Sequence, residues 1–173
     1  MKRLKGQTNV IFIFLFFAGM IMNANVTAAN YNKSPILIGH LSGNQQAHSV
    51  ETEAQGKVTF HLSDDGEELY YQLSITKINN ITAAHIHMAP KGKNGRVVVV
   101  LFDFDNPWKS TINSTVVEGT ITSDNLVGPL VGSPISALIR EMEEGNAYIN
   151  VHSKEHPQGN VRGQIIDPSS LPD

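Results

Sequence analysis

The chain has 173 residues, 40% of them apolar, and its 13 Lys and Arg against 16 Asp and Glu give a formal net charge of -3. That length suits one domain with a single core, and the charge balance excludes the basic footprint of a nucleic-acid binder. Zero cysteines exclude a disulfide framework, a lipid-attachment cysteine and a thiol nucleophile.

The first residues set the expected compartment. "MKRLKGQ" is cationic, residues 9–22 are nearly all apolar, and "NANVTAAN" ends in small residues suited to a signal peptidase. The apolar run is shorter than the roughly 20 residues a spanning helix needs. Residues 1–29 therefore read as an export signal, cleaved after Ala28 or Ala29, and 30–35 as a short disordered lead. The expected location is secreted or on the cell surface. Asn-x-Ser/Thr triplets occur at Asn25, Asn32, Asn80 and Asn113; the first leaves with the signal, and the other three are glycosylation candidates in an exported chain.

From residue 36 onward the pattern is one of short strands punctuated by turn residues. The expected strands are 36–41, 57–62, 69–75, 82–88, 96–102, 115–121, 147–152 and 161–166, separated by turns such as "SDDGEE", "PKGKNG" and "HPQGN". One stretch departs from it: "GSPISALIREMEEG" carries Ile135, Leu138, Ile139 and Met142 at helical spacing, with Ser133 as expected N-cap, Pro134 at the first helical position and Gly145 as a stop. The sequence thus predicts an all-β fold over 36–167, a Greek-key-like antiparallel sandwich or flattened barrel of about eight strands with one short helix. Residues 168–173 read as a tail.

Chemistry concentrates on the histidines. In a strand, residues two apart share a face, so "AAHIHM" sends Ala84, Ile86 and Met88 to the core and His85 and His87 to the opposite side. In "NAYINVH" the same rule puts Ala147, Ile149 and Val151 inward and Tyr148, Asn150 and His152 outward. If the two strands pair, three imidazoles converge on one point and offer a Zn or Cu site. His156, four residues after His152, is a candidate fourth ligand or an outer contact; a position left to water would give an open site. The alternative is that the H-x-H pair only bonds to water or to nearby carbonyls. His40, His48 and His61 are expected to be surface or locally bonded residues, His61 facing away from the row of Phe60 and Leu62.

Other features read as structural. "RVVVVLF" suggests a strand buried on both faces, and Gly92 and Gly95 are expected to supply positive φ in the turn before it. Asp103 and Asp105 fit no calcium-loop spacing and read as a solvated turn. Arg162 is a candidate for organising the loop near the histidine turn or for binding an anion. No G-x-S-x-G, H-E-x-x-H or P-loop is present, so hydrolase, metalloprotease and nucleotide-binding readings lack their groups.

"LSGNQQ", "GKVTFHLSDDGEELYYQLSITKI", "AAHIHMAPKGKNGRVVVVLF", "GTITSDNLVGPLVG" and "NAYINVHSKEHPQGNVRGQI" together resemble the CHRD domain, a module named from chordin and found in many exported microbial proteins. The resemblance covers about 36–166 and rests on His85, His87, Gly92 and Gly95 in one block. The second block supplies Tyr148, Asn150, His152, Pro157, Gly159, Arg162, Gly163 and Gln164. The chain departs from the family pattern at "NQQAHS", where proline-rich sequence is usual, and at Asn160, where an acidic residue is frequent. The resemblance implies a secreted binding role, because the animal protein antagonises growth factors. A fainter likeness to copper/zinc superoxide dismutase lies in the H-x-H strand, a later histidine and the "GN…R…G" ending, although no second ligand cluster or cysteine pair is present.

The leading expectation is an exported, non-enzymatic binding module with a His85/His87/His152 site for Zn or Cu. Its expected partner is an extracellular protein or surface polymer, with self-association a further expectation and no membrane span after signal cleavage. The alternatives are a superoxide-dismutase-like metalloenzyme on the same triad and a structural subunit of the cell envelope or matrix.

Overall fold

The computed structural model describes residues 36–108 and 114–170. The expected signal and lead, Asn32, Asn113 and the last three residues lie outside that range. Eight strands form one antiparallel sheet: β1 (Leu37–Ser42), β2 (Gln55–Leu62), β3 (Leu69–Thr76), β4 (Ile81–Met88), β5 (Arg96–Trp108), β6 (Ser114–Ile121), β7 (Ala147–Ser153) and β8 (Val161–Ile166). The strand order is β5-β4-β7-β8-β1-β2-β3-β6, so the connections from β3 to β4, from β5 to β6 and from β6 to β7 join strands that are not neighbours in it. The sheet curls into a nearly closed barrel with one helix, as the all-β reading expected. Just past β6, Leu126 bridges back to Val99 of β5, and the Val127 N–H donates to the Val98 carbonyl, drawing the two edges of the sheet together.

Alternation along the strands builds the core. Leu37, Val58, Phe60, Leu73 and Ile75 point inward from β1 to β3, and Ile86, Val98, Leu101, Ile149, Val151, Val161 and Ile165 complete the interior. Removing such side chains from water is the main source of stability in a chain without disulfides. Met88, assigned to the same row, is only partly buried, because β4 ends there and its tip lies at the rim.

The helix α1 (Ile135–Glu143) buries Ile135, Leu138, Ile139 and Met142 and packs against β7 and β8. Its cap differs from expectation: Pro134 occupies the N-cap with extended backbone and no side-chain cap bond, so Ser133 lies one residue too early. Proline fits there because it needs no donor and its carbonyl still accepts from the Ala137 N–H. At the other end Gly145 adopts a φ of +70° and lets the Asn146 N–H return to the Glu141 carbonyl.

Two further expectations change. Val98, Val99, Leu101 and Phe102 are buried, but Val100 is 37% exposed, because β5 is an edge strand with one open face rather than a strand covered on both sides. Asp103 and Asp105 lie inside β5, which runs on to Trp108, instead of in a turn, and an edge strand tolerates a proline such as Pro107.

Candidate functional site

The site is assembled on the outer face of β4, β7 and β8, and strand register sets it. β4 pairs with β7 so that Ala83 faces His152, His85 faces Asn150 and His87 faces Tyr148, while β8 places Gln164 beside Tyr148 and Arg162 beside Asn150. The pleat therefore puts His85, His87 and His152 on one side of the sheet, with Ile86, Ile149 and Val151 on the core side. Ala83 is the small residue directly across from His152, which leaves room for that ring to lie over toward His85.

The three imidazoles come together. His85 Nδ1 and His152 Nε2 are 3.3 Å apart, and one ring nitrogen from each of His85, His87 and His152 lies within 4.8 Å of the other two. A tetrahedral zinc with Zn–N bonds of about 2.0–2.1 Å spaces its nitrogens roughly 3.3–3.4 Å apart, so the first pair already stands at that separation.

Backbone carbonyls orient two of the rings. His87 Nδ1–H donates to the Gly95 carbonyl at 3.0 Å, and His152 Nδ1–H donates to the Pro157 carbonyl at 3.0 Å. In a neutral imidazole that fixes Nε2 as the lone-pair nitrogen, the arrangement by which ligating histidines are held in one tautomer. The Nε2 of His87 is buried and has no hydrogen-bond partner among the described residues. A buried orphan acceptor is costly, and a cation between the rings would satisfy it.

At His85 and His87 the surroundings favour the neutral ring. Burial is the largest influence on His85 and, with the neighbouring charges of His152 and His87, lowers its pKa to about 4, against a smaller opposing pull from Asp103. Burial also lowers His87, partly opposed by the bond to the Gly95 carbonyl. Neutral imidazole is the form that binds metal.

Behind the histidines stands a stacked layer. The Tyr148 ring lies parallel to His87, with centroids 4.9 Å apart and 6° between planes, and the Arg162 guanidinium carbon sits 3.4 Å from the centre of the same ring. Because His87 reaches Tyr148 from β4 and Arg162 reaches it from β8, the tyrosine is held between them. Arg162 is only 1% exposed and donates to the carbonyls of Lys93 and Pro90 and to Gln164 Oε1. The Gln164 amide in turn donates to the carbonyls of Ala89, Gly145 and Ala147. The loop 89–95 is thereby tied down at several carbonyls, and the Gly95 N–H closes it onto the Tyr148 hydroxyl.

Tyr148 and Asn150 lie on the face opposite the core row, as the alternation expects, but this layer covers them. They are 2% and 5% exposed, because the loop 89–95 and the turn at Gly43–Gln45 fold over the outer face, Gln46 donating to Asn150 Oδ1. Gly92 has the expected positive φ, +78°, but Gly95 does not. Gly95 is required for close approach, since a Cβ there would stand 2.0 Å from the Met88 carbonyl oxygen.

His156 is not among the gathered rings; its backbone shapes the turn, its N–H donating to Ser153 and its carbonyl accepting from Gly159. His40 and His48 are exposed, and His61 pairs across the sheet with Tyr70, away from the cluster. Asn80 turns with a φ of +50° and its side-chain amide donates to Glu155. The features sequence reasoning missed are the carbonyls of Gly95 and Pro157, which carry no side-chain signal.

An antiparallel barrel with a three-histidine cluster on its outer face defines a class of small all-β domain. A family model for the CHRD domain matches residues 38–165, and the chain belongs to the CHRD domain family. Neither the curated proteins nor the solved structures contain a significant match. Among the described residues no helix is long and apolar enough to cross a membrane.

Proposed function

We propose that this chain is an exported CHRD-domain binding module that holds a Zn or Cu ion on His85, His87 and His152. The observation that carries the reading is the gathering of three imidazoles in which His87, its Nδ1 held by the Gly95 carbonyl, keeps a buried Nε2 without a hydrogen-bond partner among the described residues. Three neutral nitrogen donors favour Zn or Cu over Mg or Ca, which take oxygen ligands. The ion would tie β4 to β7 and would brace the outer face, leaving the domain's surface to bind an extracellular protein or surface polymer. Export is supported by the cationic and apolar opening of the sequence.

Metal analysis of the exported protein by mass spectrometry, beside His87→Ala, tests this. One equivalent of Zn or Cu in the natural protein and none in the variant is the expected result; equal metal content in both removes the proposal. A copper form that turned over superoxide would move the reading to the metalloenzyme, which the same three ligands with an open fourth position would serve.

A further inference from the structure

We infer that the fourth coordination position of this site takes a small exogenous anion, drawn there by Arg162; the inference rests on the metal reading above. Three neutral imidazoles leave the full charge of a divalent ion uncompensated. Arg162 adds a permanent positive charge that no carboxylate pairs among the described residues: its partners are the Lys93 and Pro90 carbonyls, the Gln164 amide oxygen and the Tyr148 ring.

The stack through Tyr148 bounds the distance from the guanidinium carbon to the His87 ring at about 8 Å, within roughly one screening length at physiological salt. Burial in the stack shields the interaction less than a surface pair would be shielded. Asp103 on β5, which is exposed, is felt by His85 as a charge of opposite sign. Exposed carboxylates are strongly screened, so the local field stays positive.

Size follows from depth. The Nε2 of His87 is out of reach of solvent and all three residues are partly buried, so an ion held among the rings would favour a small ligand over a bulky one. An azide, a carboxylate as small as formate, or a diatomic oxygen anion reaches it.

The test uses the exported protein loaded with one equivalent of Cu(II) and titrated with azide under constant perchlorate ionic strength, read by the azide-to-copper charge-transfer band and by paramagnetic resonance. A saturable band at one azide per copper is expected, with affinity about tenfold above that of a free tris-imidazole copper complex. Arg162→Gln should keep the copper stoichiometry and lose about that factor, and Arg162→Lys should recover most of it. Should Arg162→Gln release the copper, the comparison with the free complex decides alone. Azide affinity equal to that of the free complex, or unchanged spectra, overturns this inference and leaves the metal proposal standing. Failure of the natural protein to hold copper or zinc at all overturns both.

Discussion

Substituting Gly95 by alanine separates a geometric role from a conformational one. The added Cβ would meet the Met88 carbonyl oxygen at 2.0 Å, the Met88 carbonyl carbon at 2.6 Å and the Ala89 Cβ at 2.8 Å. All three belong to the main chain or to its nearest side-chain atom, so no flexible end can swing aside. The strand and the loop must part by about 1 Å to reach even a tight contact, a disruption of the size that costs about 2–4 kcal/mol. That parting moves the Gly95 carbonyl away from His87 Nδ1 and the Gly95 N–H away from the Tyr148 hydroxyl. The expected outcome is a fall in unfolding free energy of that order, measured by urea denaturation, with zinc affinity lowered about tenfold or more by titration calorimetry. Gly92→Ala is the matched control: its φ of +78° makes alanine strained, but nothing lies within 4 Å of the new methyl. It should cost about 1 kcal/mol and leave zinc binding unchanged. If Gly95→Ala matches the natural protein in stability and zinc affinity, the assignment of Gly95 as the backbone prop of His87 is wrong.

Other outcomes follow from the same geometry. His85 has a folded-state pKa lowered by burial to about 4 from the usual 6.5, so the fold favours the neutral ring; this contribution to stability is complete above pH 6.5 and is lost as pH falls from there toward 4. Urea midpoints of the metal-free protein should drop across that window, and His85→Gln should flatten the drop. Because protons compete weakly for such rings, zinc should stay bound at pH values where an exposed histidine site has released it, as calorimetry from pH 7 to pH 5 would register. Arg162→Ala removes two bonds to loop carbonyls and the contact with Tyr148, and should lower stability by about 2–4 kcal/mol; amide exchange should quicken across the loop 89–95. Ile86→Ala, at a fully buried position between the two histidines of β4, should cost about 2–5 kcal/mol by denaturation.

Much of this architecture is legible because alternation is a strong signal where one face is buried. Ile86 between His85 and His87, and Ile149 and Val151 between Tyr148, Asn150 and His152, state their own faces, and seven of the eight strands lie within two residues of the bounds the turn residues set, β5 running on past its expected end. The pairing of β4 with β7, on which convergence of the rings depends, brings together His85 and His152, 67 positions apart in the chain, and has no local sign. The burial of Tyr148 and Asn150 was hidden for a similar reason: what covers them is a loop from elsewhere in the chain, fastened by Arg162 and Gln164 through carbonyls that every residue possesses. Gly95 reads the same as Gly92 in "GKNG", since a glycine needed for space and one needed for positive φ are spelled alike.

X-ray absorption on the zinc-loaded protein tests the central claim most directly. A three-histidine site gives an inner shell containing three imidazole nitrogens at about 2.0–2.1 Å, with the outer scattering of their rings, and loss of one imidazole's share in His152→Ala. An inner shell of oxygen without ring scattering, or a spectrum that His152→Ala leaves unaltered, would contradict it.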